Sequence, residues 1–213
     1  MLYNETIEPG TLALIKSLLE KDYLEDFNLV GGTALSLQLG HRKSIDIDLF
    51  TNKDFSPSFL LDNLRDHYEF KMDALEKNTL RGFIDKVKID FITQKGELVK
   101  PLIIQDDIRM ASKEDIGAMK VSAIAGDGTR IKDFIDVYFL LKNNSFGDLI
   151  LWYKRKYKLD NDFHAVKSLV YFNDIDLNDW PEMVLEKGLT IKTVTDSLIK
   201  ARDKYLKAKL SRK

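Results

Sequence analysis

Residues 28–50 read NLVGGTALSLQLGHRKSIDIDLF, and the parsing of this stretch decides the fold. The apolar run FNLV is a short buried strand that ends at Gly31-Gly32. TALSLQL continues as a helix, with Gly40 placed to cap its C-terminus. A basic loop, His41-Arg42-Lys43, leads into SIDIDLF, which alternates strictly. Ile45, Ile47 and Leu49 face one side of that strand, and Ser44, Asp46 and Asp48 the other.

Two glycines between a strand and a helix let the backbone approach a ligand closely. They also leave the first N–H groups of the helix pointing outward, where its dipole favours an anion. On its own, GGT also suits a plain turn, and a strand with a polar wet face is commonplace. A third residue changes the balance. Asp90 in KVKIDFI (86–92) lies between Ile89 and Phe91, on the opposite side of its strand from both. If that strand lies beside 44–50, Asp90 joins Asp46 and Asp48 in an oxygen-rich site suited to hard divalent cations, Mg²⁺ above all. Two such ions can activate an attacking oxygen and stabilise a leaving pyrophosphate.

Around this centre the chain divides into two characters. Residues 11–24 predict a helix with Thr11 as N-cap, and 58–66 predict another. Strand-like runs follow at 68–74, 79–84 and 86–92, joined by turns short enough for antiparallel pairing, and PLIIQ (101–105) reads as an edge strand. From Ser112, a plausible cap with Asp115 at the capping-box offset, the periodicity is helical over 113–125, 129–143, 146–156, 161–172 and 190–210. The expectation is an α+β fold. A mixed sheet with flanking helices occupies 1–110, and an all-helical domain occupies 111–213.

The chain has 213 residues, a formal net charge of −1 and no cysteine, which excludes disulfides, zinc–thiolate sites and a Cys nucleophile. The N-terminus lacks the basic and apolar regions of a secretory signal, and no apolar run is long enough to cross a bilayer; the expected setting is cytoplasmic, with no membrane partner. Cations concentrate in YKRKYK (153–158) and KARDKYLKAKLSRK (200–213). Both read either as solvated helix faces or as a surface for a polyanion such as RNA.

LVGGT (29–33) followed by Asp-Ile-Asp at 46–48, with Asp90 as the third acidic residue, resembles the polymerase-β-like nucleotidyltransferase superfamily. The longer pattern GGTAL…HRKSIDIDLF is similar to the abortive-infection AbiEii/AbiGii toxin family of minimal nucleotidyltransferases. EDIGAMKVSAI (114–124) and RIKDFIDVYFLL (130–141) resemble that family's later motifs. The resemblance implies a polymerase-β-like nucleotidyltransferase core and NMP transfer from an NTP on Mg²⁺, with two ions and Mn²⁺ as a substitute. The acceptor it implies is tRNA, in a toxin–antitoxin system with a cognate antitoxin. Asp46, Asp48 and Asp90 would hold metal, Asp90 accepting the proton of the attacking hydroxyl. Gly31, Gly32 and Thr33 would contact the triphosphate, with Ser44 and Arg42 on phosphate oxygens. Lys120 would face the nucleotide's phosphates, against the plain alternative of a lysine that snorkels to solvent. Asp133 matches the late acidic residue and also suits a helix N-terminus. Asp136 is read as a partner for Arg130 or Lys132, and His41 as an orienting or capping residue.

Two other functions stay open at this level. One is the same chemistry on a small-molecule or protein acceptor. The other is a nucleotide-binding module without activity, against which stands the presence of all three acidic positions. A sugar-nucleotide transferase using Asp-x-Asp fits the glycine pair poorly.

Overall fold

The computed structural model describes residues 1–211; Arg212 and Lys213, the end of the basic tail, lie outside the described residues. The chain forms two compact units. Residues 1–96 with 101–111 make one, and 97–100 with 112 onward make the other.

The first unit is built on a seven-stranded mixed sheet. Its strands are β1 (Asn28–Val30), β2 (Ile47–Thr51), β3 (Lys71–Glu76), β4 (Thr79–Ile84), β5 (Val87–Thr93), β6 (Ile103–Gln105) and β7 (Ile108–Met110), in the order β3-β4-β5-β2-β1-β7-β6. Its helices are α1 (Pro9–Leu19), α2 (Gly31–Leu39) and α3 (Pro57–His67). Alternation sets the sheet's inner face. Ile47, Leu49, Leu80, Ile89 and Phe91 are fully buried, and Phe91 makes an edge-on contact with Phe27 at 5.7 Å. Residues 71–93 form a meander in which β3, β4 and β5 pair antiparallel, as their short turns predict.

Several boundaries differ from the sequence reading. Thr11 is not an N-cap: α1 starts at Pro9 after Glu8, because proline suits the first helical position, and it ends at Leu19 rather than at residue 24. Strand β2 starts at Ile47, and Ile45 is exposed rather than facing the core, since the chain before it is tied to the N-terminus by Ser44 N–H donating to the Thr6 carbonyl (3.0 Å). Strand β7 was not anticipated. PLIIQ does supply the edge strand, β6, and β7 hairpins back from it to reach β1.

The second unit is helical: α4 (Lys113–Gly126), α5 (Ile131–Leu140), α6 (Phe146–Tyr157), α7 (Phe163–Ser168) and α8 (Ile191–Leu210). Helix α7 is shorter than the 161–172 expected, and α5 shorter than 129–143. α4 is the hub, packing on α5, α6 and α7. Gly117 allows the close approach of α6, since a Cβ there would lie 3.0 Å from the Trp152 ring. Ser112 caps α4 by accepting from the Asp115 N–H (3.0 Å). The Asp115 carboxylate does not complete a capping box. It accepts from the Val99 and Lys100 N–H groups (3.0 Å each), from the Ser112 hydroxyl (2.7 Å) and from Lys156 (2.9 Å), and so binds segment 97–100 to the helices.

Candidate active site

Strands β2 and β5 carry Asp48 and Asp90, and α2 with the loop after it carries the other candidates of the first unit. Antiparallel pairing of β1 with β2 sets Val30 opposite Asp48, and parallel pairing of β2 with β5 sets Asp48 beside Asp90. Asp48 therefore sits next to the point where β1 turns into α2. Gly31 makes that turn with φ of +68°, and a Cβ there would lie 2.0 Å from Asp48 Oδ2. Only glycine fits, on both counts. The next residue is equally crowded, since a Cβ on Gly32 would fall 2.4 Å from an Arg42 guanidinium nitrogen and 3.4 Å from Ser44 Oγ.

Helix α2 begins at Gly31 itself, and its N-cap, Val30, offers no side-chain hydrogen bond. The N-cap residue thus leaves the first N–H groups without a cap of its own, and an anion is the partner the helix dipole favours. Arg42 lies beside it rather than in solvent: it is 3% exposed and donates to the Lys43 carbonyl (3.0 Å). The Thr33 hydroxyl turns inward, donating to Ser44 Oγ (2.9 Å) and meeting the Asp46 carbonyl, so it fixes the approach to β2. His41, after the left-handed Gly40 cap, is fully buried. Asp46 is half-buried just ahead of β2.

Asp90 has two neighbours that the motif reading overlooked. Lys88 precedes it by two residues on the same face, and Arg81 is its cross-strand partner on β4. Their nitrogens stand 3.5 Å and 3.7 Å from Asp90 Oδ2, ion-pair rather than hydrogen-bond distances. Asp90 Oδ1 and Arg81 Nε are both buried and make no hydrogen bond. Buried polar atoms left unpaired are rare in native proteins, and each calls for an explanation.

A divalent cation would supply one for the carboxylate. Among the described residues no group of three or more His, Cys, Asp or Glu side chains forms a metal-holding cluster. The donor set is nonetheless all hard oxygen, with one buried carboxylate oxygen unused beside a second carboxylate. That fits an ion held by a few carboxylates and completed by substrate phosphates, the usual habit of Mg²⁺, rather than an all-protein cage.

The remaining candidates lie in the helical unit and form a group of their own. Lys120 on α4 meets Asp133 Oδ1 at 2.6 Å and Asp136 Oδ2 at 2.7 Å, with all three side chains buried. Asp133 and Asp136 share one face of α5 by their spacing. Asp136 thus pairs with Lys120; Lys132 pairs instead with Asp179 at 2.5 Å. Asp133 also borders a pocket of about 320 Å³ with Arg130, Asp127 and Gly128. Some cations of the two basic segments are also engaged. Lys156 holds Asp115, while Tyr205 and Lys209 hold Asp162 (2.7 and 2.8 Å).

A family model described as "Nucleotidyl transferase AbiEii toxin, Type IV TA system" matches residues 13–196. An uncharacterized protein of Aquifex aeolicus is 36% identical over 158 residues, covering 70% of this chain and 75% of that one. Among solved structures, a Helicobacter pylori protein described as a candidate nucleotidyltransferase superposes with a TM-score of 0.58 at 19% identity, covering 97% and 99% of the two chains. A nucleotidyltransferase toxin of Mycobacterium tuberculosis superposes with a TM-score of 0.54 at 13% identity, covering 89% and 82%. These two likenesses carry the polymerase-β-like fold. No described helix is long and apolar enough to cross a membrane.

Proposed function

We propose that this chain, which belongs to the AbiEii family of nucleotidyltransferase toxins of type IV toxin–antitoxin systems, moves an NMP from an NTP to the hydroxyl of a tRNA acceptor in the cytoplasm. The family itself implies an NTP substrate and an antitoxin encoded for the toxin. One observation carries the reading of the site: the Asp48–Asp90 carboxylate pair adjoins the glycine-lined N-terminus of α2.

In the proposed reaction, the N–H groups of Gly31, Gly32 and Thr33 bind triphosphate oxygens, and Arg42 neutralises their charge from beside Gly32. Ser44 donates its hydroxyl to the same phosphates. Mg²⁺ bound by Asp46, Asp48 and Asp90 would supply charge neutralisation at the α-phosphate and the leaving group. The acceptor oxygen forms a bond to the α-phosphorus as the bond to the α–β bridging oxygen breaks. Pyrophosphate leaves with that electron pair, and Asp90 takes the hydroxyl proton. Lys120 and Asp133, the candidates of the helical unit, are read as an ion group of that unit, with Lys120 held between Asp133 and Asp136.

The test is incubation with each labelled NTP, Mg²⁺ and total tRNA, beside a variant carrying Asp46→Ala and Asp48→Ala. Label on tRNA that vanishes in the variant supports the proposal. Equal labelling by both proteins rejects the role of these aspartates, and NTP turnover without labelled RNA moves the acceptor to another class.

A further inference from the structure

Strand order gives the acid-bearing face of the sheet a direction. Reading across β1, β2, β5 and β4, the registered residues are Val30, Asp48, Asp90 and Arg81. Three inter-strand spacings separate the first from the last, about 14 Å in all. The phosphate cradle at Gly31-Gly32 adjoins the Val30 end, and the acid pair occupies the middle. Arg81 therefore stands on the far side of the reacting centre from the triphosphate, and Lys88 stands on the same face of β5 as Asp90.

Neither cation is committed to a hydrogen bond with Asp90. The pairs are long, at 3.7 Å and 3.5 Å, both side chains remain more than 40% exposed, and Arg81 Nε is a buried donor without an acceptor. A metal on Asp90 would deepen the mismatch, because two cations would then face a carboxylate already neutralised. Two exposed cations at these distances suit an anion on the acceptor side. We propose that Arg81 and Lys88 are acceptor-positioning residues, which bind the phosphate next to the attacking hydroxyl of a polynucleotide 3′ end. The inference rests on the nucleotidyl-transfer reading and extends it to the residues that place the acceptor. A guanidinium suits a phosphodiester by its forked donors, and a lysine adds a point charge beside it.

The test uses the full chain with Arg81→Gln and Lys88→Gln together, and a fluorescent single-stranded RNA ending in a free 3′-hydroxyl. Binding followed by anisotropy in EDTA should weaken by about tenfold, the worth of one charge-assisted hydrogen bond. The slope of log K against log salt should flatten by about 0.7 for each phosphate that the variant no longer neutralises. In turnover with Mg²⁺, KM for the RNA should rise while KM for the NTP stays put, and the swap Arg81→Lys with Lys88→Arg should recover most of the acceptor KM. Unchanged RNA binding and acceptor KM, in a protein whose wild type labels RNA, overturns this inference and leaves the nucleotidyl-transfer reading intact. A parallel rise in the NTP's KM also overturns it, by moving the pair to the triphosphate side. A wild type that labels no RNA removes the reading itself, and the inference with it.

Discussion

In the helical unit, Asp136 and Asp133 meet the Lys120 ammonium at 2.7 and 2.6 Å, and Asp115 collects two backbone amides, a hydroxyl and Lys156. In the sheet unit, Asp90 has its cations at 3.5 and 3.7 Å and keeps one buried oxygen with no hydrogen bond. The residue type is the same; the Asp90 side chain is 13% exposed, and those of Asp115, Asp133 and Asp136 no more than 5%. A carboxylate with a full set of close donors holds the protein together. One left short of donors beside a second carboxylate weakens it, unless a ligand completes the set. The contrast predicts that substitutions in the two groups will separate stability from activity.

The largest effect should come from breaking the closed group. Lys120→Met leaves two buried carboxylates facing each other, which should lower stability by about 3–5 kcal/mol. A thermal or urea melt measures this, and an unchanged midpoint would show that the triad contributes little to the fold.

Next in size is the open group, read in activity. Asp90→Asn should reduce nucleotidyl transfer by about 10²–10³-fold, the usual loss when one electrostatic stabiliser is removed. Its melting temperature should move by no more than about 3 °C, because Arg81 and Lys88 are each more than 40% exposed and lose only long ion pairs. A large fall in melting temperature would erase the contrast between the groups.

The glycines offer a finer test. Gly31→Ala puts a Cβ 2.0 Å from Asp48 Oδ2 and forces a left-handed backbone on alanine, at a cost of about 1–2 kcal/mol. Gly32→Ala displaces only the far end of Arg42, at ordinary φ. Transfer activity should therefore fall further in Gly31→Ala than in Gly32→Ala. The reverse order would mean that Arg42, rather than Asp48, is the residue whose exact place matters.

How much of this was legible in the chain follows from the same physics. Gly31-Gly32, the Gly40 cap and the placement of Asp48 and Asp90 on polar strand faces are local patterns, and period-two alternation exposes them directly. Ile45 misled because alternation continues in sequence past the point where the backbone leaves the sheet. Arg81 and Lys88 were missed although a signal existed. The two-residue turn at Asp85-Lys86 sets Ile84 opposite Val87, and counting back along the hairpin puts Arg81 opposite Asp90. The partners of Asp115 and Lys120 could not be read, because each depends on which helices pack together and by which faces. Residues 97–100 belong with the helices only through such contacts.

The smallest prediction is a slope rather than a loss. Burial alone would raise the Asp115 carboxyl, but the hydrogen bonds from Lys156, Val99, Lys100 and Ser112 outweigh it and hold the group below the usual carboxylate range. A carboxylate with a lowered folded-state pKa stabilises the native state above the unfolded value, near 3.9 for aspartate, and that contribution drains away as pH falls toward the lowered one. Wild type and Asp115→Asn should therefore differ most in melting temperature near neutral pH, and the gap should narrow on acidification. Asparagine keeps the size and one acceptor oxygen, so the part of the gap that survives at low pH measures geometry and the part that disappears measures charge. A gap that stays constant across the acid range would mean that the Lys156 ion pair adds nothing beyond its hydrogen bond, and the closed group would then owe its strength to packing rather than to paired charge.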